Sequence, residues 1–179
     1  MLKSAAGPAH SKMNLARLDS VHLQLTTYVN ELSDDVFARR PADGQWSVGD
    51  VIQHLYLVEE RVVSTLKQNL TLDPVKIPLR KRLFPMRMIS YWFLRVEAPK
   101  AVRPVESLAR KELLSQFEAV RTNTKAFCAA HPAARLKQTA FIHPFLGQID
   151  GTAAIAMVGF HEQRHLKQIR EIVNRLQRV

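Results

Sequence analysis

The chain has 179 residues, a formal net charge of +10 and one cysteine, Cys128. This length fits one domain with a substantial core, so residues 1–179 are expected to form a single domain. The longest apolar run, from Ala153 to Phe160, has eight residues, whereas a membrane span needs about 20. With a single cysteine and no apolar run near its amino terminus, the chain is expected to be a cytoplasmic protein without a membrane span.

The positive charge is concentrated in one segment. Residues 71–104 hold eight Lys or Arg and two acidic residues, so this segment carries +6 of the net +10. Such a balance raises nucleic acid or an anionic membrane as a partner. No zinc-finger, RNA-recognition or phosphate-loop pattern accompanies the charge, however. A solvated basic surface is therefore favoured over specific nucleic-acid binding.

Four segments repeat apolar residues with the 3.6-residue period of an amphipathic helix, and none shows the alternation of a strand. The sequence therefore predicts an all-α protein. Ser47 is expected to cap the second helix, with Asp50 at its third position. The predicted helices cover residues 12–32, 47–70, 105–130 and 150–177.

A long connection separates the second and third predicted helices. Residues 71–104 contain five prolines around an apolar patch at 88–94. A connection of this length allows the third helix to run parallel to the second, which gives a four-helix bundle a crossover topology. The patch could form a short helix, and Trp92 within it could act as a lid or could bury the connection against the bundle.

Three histidines on the predicted helices are candidate metal ligands. His161 and His165 are four residues apart in the string His-Glu-Gln-Arg-His, so they share one helix face with about 6 Å between them along the axis. His54 lies at the edge of the apolar stripe of the second helix and also points inward, where Asp50 could hold its second ring nitrogen. Burying several imidazoles without partners is costly. This favours one divalent ion bound by the three histidines over three separate core histidines.

Several residues near the predicted site have two interpretations. His22 or Thr26 could line the metal pocket, whereas His22 could instead be a hydrogen-bonded core histidine. His143 could lie at the pocket mouth or stabilise its own turn. Glu162 faces inward and is either a general base or a buried carboxylate paired with an arginine such as Arg121.

The same string matches the HExxH pattern of metalloproteases, in which the Glu activates a water molecule. Those enzymes usually pair the helix with a strand edge that holds the peptide substrate. The sequence predicts no strand, so proteolysis is not favoured.

The flanks of the three histidines resemble the DinB-like family. The string GQWSVGDVIQHL, which ends just after His54, is similar to the family's second-helix signature. The string HPFLGQIDGTAAIAMVGFHEQRHLKQI at 143–169 is similar to the closing signature, and APKAVRP at 98–104 resembles the end of the connection before the third helix. The resemblance thus covers both ends of the domain.

This resemblance implies an up-down-down-up four-helix bundle in which His54, His161 and His165 hold a divalent ion. Family members are often homodimers and carry nickel or zinc, and some carry iron or manganese. Hydrolysis and thiol-dependent transfer or isomerisation are among the activities assigned in the family, and many members have no known reaction.

Two classes of function remain open. The first is a metal-dependent hydrolase or thiol transferase that acts on a small molecule, with Glu162 as general base. The second is a non-catalytic metal-bound bundle that serves as an interaction or stress-response module. In either case a homodimer is expected, with the 71–104 connection near the interface or over the metal pocket, because the apolar patch would otherwise be exposed.

Overall fold

The computed structural model describes residues 8–77, 98–105, 108–144 and 146–178, and these residues are mostly helical. Within these residues, four helices are long and two are short, and a 3-10 turn at Lys100–Val102 precedes the third long helix. The helices are α1 (Pro8–Asn30), α2 (Asp34–Ala38), α3 (Val48–Asn69), α4 (Arg110–Ala130), α5 (Ala133–Leu136) and α6 (Gly151–Leu176). The four predicted helices correspond to α1, α3, α4 and α6.

The start of α3 follows from its sequence. Ser47 Oγ accepts a hydrogen bond from the Asp50 backbone N–H at 3.0 Å, and the Asp50 carboxylate accepts one from the Ser47 N–H at 2.9 Å. This capping box satisfies two backbone donors that the helix itself leaves unpaired. The predicted cap at Ser47 is confirmed.

A β-hairpin between α5 and α6 contradicts the prediction that the chain has no strand. Strand β1 (Ala140–His143) pairs antiparallel with β2 (Gly147–Asp150). Phe141 and Ile149 lie opposite each other in this pairing and are both buried. Each strand has only four residues, which is too short for the alternation of polar and apolar residues to be recognised.

Neighbouring residues give the directions of the long helices. Helix α1 runs parallel to α6, while α3 runs parallel to α4 and antiparallel to α6. The pairs are Leu18–Gly159 and Tyr28–Arg170 between α1 and α6, and His54–His165 and Leu66–Gly151 between α3 and α6. Between α3 and α4, Glu59 binds Arg121, the amino-terminal halves share one apolar cluster through Ile52 and Phe117, and the carboxyl-terminal halves share the other through Leu66 and Phe127. With α1 taken as up, α3 and α4 run down and α6 runs up.

The connection between α3 and α4 lies largely outside the described residues. This applies to the apolar patch at 88–94 and to Trp92, and so to the predicted short helix and lid. The described ends of the connection contact the bundle, since Ile77 and Val102 are both buried. Among the residues that the structure describes, no helix is long and apolar enough to cross a membrane.

Two apolar clusters fill the bundle, one around Leu25 and Ile169 and the other around Leu18 and Ile155. A layer of buried polar side chains lies between them. The layer consists of His22, His54, Glu59, Arg121, Thr124, Glu162 and His165. Buried polar groups need partners to offset the loss of water. The candidate functional residues therefore lie in this layer.

Candidate metal centre

The structure brings the three predicted histidines together. One nitrogen of each ring lies within 4.8 Å of the corresponding nitrogens of the other two, and the group contains His54, His161 and His165. The Nε2 atoms of His161 and His165 are 3.1 Å apart. His54 and His165 are buried, whereas His161 is partly exposed. The site is therefore embedded in the bundle, with His161 as its most exposed member.

Two helices supply the three rings. His54 belongs to α3, and its ring packs 5.0 Å from the ring of Trp46, just before the capped start of that helix. His161 and His165 lie one turn apart on α6, and their ring centroids are 4.4 Å apart. Because α3 and α6 run side by side in opposite directions, the rings meet in the space between them.

Hydrogen bonds at Nδ1 orient two of the rings. His54 Nδ1 donates to the Val102 carbonyl oxygen at 2.7 Å, and His165 Nδ1 donates to the Gln168 side-chain oxygen at 2.7 Å. A proton on Nδ1 leaves a lone pair on Nε2, which is the form that binds a metal. Both Nε2 lone pairs are thus available to the shared space between the rings.

The partner predicted for His54 was wrong. Asp50 does not hold its ring nitrogen, because the Asp50 carboxylate caps α3 through the Ser47 N–H and accepts a hydrogen bond from Arg40 Nε at 3.0 Å. The Val102 carbonyl takes the place predicted for Asp50. A neutral carbonyl partner fixes the ring without adding negative charge to the site.

Burial lowers the pKa of all three imidazoles. For His165 burial, and then the charge of His54, lower the pKa to about 3. The pKa of His161 lies well below its ordinary value, because burial and then the charges of His165 and His54 lower it. Burial also lowers the pKa of His54, with a further contribution from Arg164 that opposes the effect of the Val102 carbonyl. The three rings are therefore neutral at pH 7, as metal ligands must be.

The arrangement fits a divalent ion. The Nε2 atoms of His161 and His165 are 3.1 Å apart, a distance at which either a proton on His161 Nε2 or a cation lies between them. Imidazole ligands at about 2.0–2.1 Å from a tetrahedral ion lie about 3.3 Å apart, which is close to the observed spacing. Three imidazoles are also the protein ligands of zinc sites that keep one position open for chemistry.

Glu162 follows His161 in sequence but is bound elsewhere. Its side chain is 1% exposed, and its Oε1 accepts a hydrogen bond from Arg121 Nη2 at 2.6 Å. In the HExxH proteases the equivalent carboxylate acts on the water at the metal. The contact with Arg121 matches the second interpretation of Glu162, a buried carboxylate paired with an arginine, and its role as general base stays a prediction.

His22 and His143 differ in their relation to the site. His22 Nδ1 lies 3.3 Å from Glu162 Oε1, and its ring packs against Phe117, so it has the contacts of a core histidine. His143 Nδ1 accepts a hydrogen bond from the Leu146 N–H, which stabilises the hairpin turn. Its charge also lowers the pKa of His161, so His143 lies near the site as well as in the turn.

Three contributors to the site were not predicted as such. Val102 could not be found from sequence, because it acts through a backbone carbonyl 48 residues from His54. Gln168 follows His165 by one helical turn, so its place on the same face could have been recognised. Arg164 of α6 is half-buried, and its charge lowers the pKa of all three histidines.

Fold and site together define a four-helix bundle protein with three histidines whose ring nitrogens are close enough to hold one metal ion. The chain belongs to the DinB superfamily, whose family model matches residues 17–169. The uncharacterised protein YuaE of Bacillus subtilis (strain 168) is 24% identical over 165 residues, which cover 89% of this chain and 97% of YuaE.

Two solved structures have a similar fold. YfiT from Bacillus subtilis, described as a probable metal-dependent hydrolase with an unusual four-helix bundle topology, has a TM-score of 0.66 at 18% identity, over 99% of this chain and 93% of YfiT. TT2238, described as a four-helix bundle protein, has a TM-score of 0.61 at 18% identity, over 90% of this chain and 98% of TT2238. The four-helix bundle predicted from the sequence is confirmed.

Proposed function

We propose that the protein is a metal-dependent enzyme that acts on a small molecule, either a hydrolase or a thiol transferase. The observation that carries the proposal is the convergence of three neutral imidazoles, on His54, His161 and His165, within the bundle. The description of YfiT as a probable metal-dependent hydrolase supports it. Imidazole nitrogens suit zinc and nickel, which we propose as the first candidates, and iron or manganese as the second.

A divalent ion on this triad would lower the pKa of a water or thiol at its open position and so supply a nucleophile near pH 7. The chain's own residues prepare the site. The Val102 carbonyl and the Gln168 side chain hold two rings in the metal-binding tautomer, and Trp46 covers the His54 ring. The positive charge of Arg164 near the three rings favours an anionic or thiol-bearing substrate.

A non-catalytic role is the second candidate, and one observation favours it. Glu162, the carboxylate next to His161 in sequence, accepts its hydrogen bond from Arg121 and is buried. The carboxylate thus contacts Arg121 and is not part of the group of close ring nitrogens that the three histidines form. In this case the metal-bound bundle would serve as an interaction or stress-response module.

Turnover by the metal-loaded protein separates the two candidates. The protein, loaded with Zn²⁺ or Ni²⁺, is tested against panels of esters, amides and thiol-transfer substrates, with His161→Ala as the control that lacks one ligand. The enzyme proposal expects turnover that the control loses. Full metal content without turnover in any panel would favour the non-catalytic role.

We also propose that the protein is a cytoplasmic homodimer with the 71–104 connection near the interface or over the metal pocket. Closed twofold dimers are the commonest soluble oligomers, and the apolar patch at 88–94 would gain cover. Light scattering at micromolar concentration should then give twice the chain mass of 20.4 kDa. A mass equal to that of one chain would contradict the dimer.

A further inference from the structure

A second buried polar group lies beside the three histidines and has one member on each long helix. We call the side chains of His22, Glu59, Arg121 and Glu162 the four-helix polar network. They belong to α1, α3, α4 and α6 respectively, and each is at most 6% exposed. The network therefore joins the whole bundle at one level of its core.

The guanidinium of Arg121 makes the connections. Its Nε and Nη2 donate to the two carboxylate oxygens of Glu59 on α3 at 3.0 and 2.9 Å. Nη2 also donates to Glu162 on α6 at 2.6 Å, and Nη1 donates to the Leu18 carbonyl on α1 at 2.7 Å. One side chain of α4 is thus hydrogen-bonded to the other three helices.

The network is joined to the metal ligands through the same two helices. Glu162 directly follows His161 on α6, and Glu59 follows His54 by five residues on α3, which is about 7.5 Å along the helix axis. A change in the rotation or axial position of α6 relative to α3 would therefore alter the network and the spacing of the ligand nitrogens together.

Apolar packing alone restrains such movements only weakly. Apolar contacts have no direction, so two helix faces can shift slightly and still exclude water. Hydrogen bonds from a planar guanidinium to two carboxylates require a narrow range of distances and angles. Buried ion pairs often add little stability over apolar side chains of the same size, and in some proteins their contribution is to fix one helix register.

We propose that Arg121 is a positioning residue for the metal centre, because it fixes α6 relative to α3 through Glu162 and Glu59. The proposal rests on the proposed metal binding by His54, His161 and His165. It predicts that the network determines the geometry and the affinity of the metal site, apart from any effect that it has on overall stability.

The test compares three variants with the wild type. Arg121→Lys keeps the charge but cannot reproduce the paired hydrogen bonds of the guanidinium. The triple variant Glu59→Leu, Arg121→Met, Glu162→Leu replaces the charged members by apolar side chains. Arg110→Lys is the matched control, since Arg110 binds the Leu32 carbonyl and Asp34 through the same chemistry but lies about 16 Å along α4 from Arg121.

Three properties are measured for each protein: the visible absorption spectrum of bound Co²⁺, the affinity for Co²⁺ in competition with a chelator, and the urea midpoint of the metal-free form. Both network variants should bind Co²⁺ about 10–100-fold more weakly than the wild type, with an altered spectrum, as found for changes in the support of metal ligands. The triple variant should do so at a urea midpoint near or above that of the wild type. Arg110→Lys should keep the wild-type affinity and spectrum.

Each alternative outcome decides one claim. Wild-type affinity and spectrum in either folded network variant would overturn the positioning role of Arg121. A triple variant that does not fold would overturn it as well, because the network would then be required for folding itself. A wild-type protein that binds neither Co²⁺ nor Zn²⁺ would instead contradict the proposed metal site.

Discussion

The bundle contains two buried polar groups in one layer, and the pKa values of their histidines are shifted in opposite directions. In the metal triad, burial and positive neighbours lower the pKa of His54, His161 and His165. In the four-helix polar network, burial also acts to lower the pKa of His22, but the hydrogen bond and charge of Glu162 outweigh it, so the pKa is raised.

The difference comes from the partners and not from depth. His54 and His165 donate to uncharged oxygens, of Val102 and Gln168, so their rings stay neutral and keep a lone pair on Nε2. His22 lies between two carboxylates, with its Nε2 3.1 Å from Glu118 Oε1 although not aligned for a hydrogen bond. Uncharged partners thus keep an imidazole neutral and able to bind a metal. Anionic partners favour the protonated imidazole, which then has a structural role.

Removing the cation of the network is expected to have the largest effect. Arg121→Met leaves the carboxylates of Glu59 and Glu162 buried without their partner, which should lower the free energy of unfolding by about 3–5 kcal/mol. Arg110→Met should cost about 1 kcal/mol, because its partner Asp34 is exposed. Urea unfolding of the metal-free proteins measures both. Equal losses in the free energy of unfolding would show that the burial of Arg121 and its two carboxylates does not determine the size of the effect.

The role of Glu162 can be tested next. If the carboxylate belongs to the network, Glu162→Gln should keep one bound metal ion and turn over any substrate found within about tenfold of the wild-type rate. A loss of about 10²–10⁴-fold at unchanged metal content would instead identify Glu162 as the general base. Metal analysis and steady-state kinetics on the same preparation distinguish the two results.

Acid should destabilise the metal-free protein through the triad. The folded pKa of His165 is about 3, below its ordinary value of 6.5, so the unfolded chain binds protons in this range that the folded protein does not. Stability is therefore lost as the pH falls below about 6.5. His165→Gln should lose less stability than the wild type between pH 7 and pH 5 in urea titrations. An identical pH dependence of the two proteins would contradict the low pKa.

His22 should show a smaller effect of opposite sign. Burial and the charge of Arg121 lower the folded pKa of His22, but Glu162 and Glu118 outweigh them, so this pKa is raised. The stability that His22 contributes is therefore complete below pH 6.5 and is lost as the pH rises through the folded pKa. The stability difference between the wild type and His22→Gln should be larger at pH 6 than at pH 9. A difference that grows with pH would mean that His22 is held neutral.

Local patterns in the sequence predicted the helices and the three histidines that the fold brings together. The 3.6-residue period located α3 and α6, the Ser47 cap set the start of α3, and the four-residue spacing placed His161 and His165 on one face. These features depend on residues that are close in sequence, so periodicity and capping rules are enough to find them.

Contacts between segments that are distant in sequence could not be predicted from local patterns. The Val102 carbonyl binds His54 from a connection whose path no local pattern specifies. The Asp50 carboxylate, which was the predicted partner, binds Arg40 and the Ser47 N–H instead. The ion pair of Arg121 with Glu59 likewise depends on α3 and α4 lying side by side in parallel. A correct prediction of such partners requires the fold first.

Metal binding by the triad is the central claim, and stoichiometry tests it most directly. Wild-type protein and the single variants His54→Ala, His161→Ala and His165→Ala are dialysed against Zn²⁺ or Ni²⁺, freed of excess ion, and measured by elemental analysis at pH 7. We predict one ion per wild-type chain and a loss of bound ion in each variant. One ion per chain in all three variants, or none in the wild type, would contradict the account.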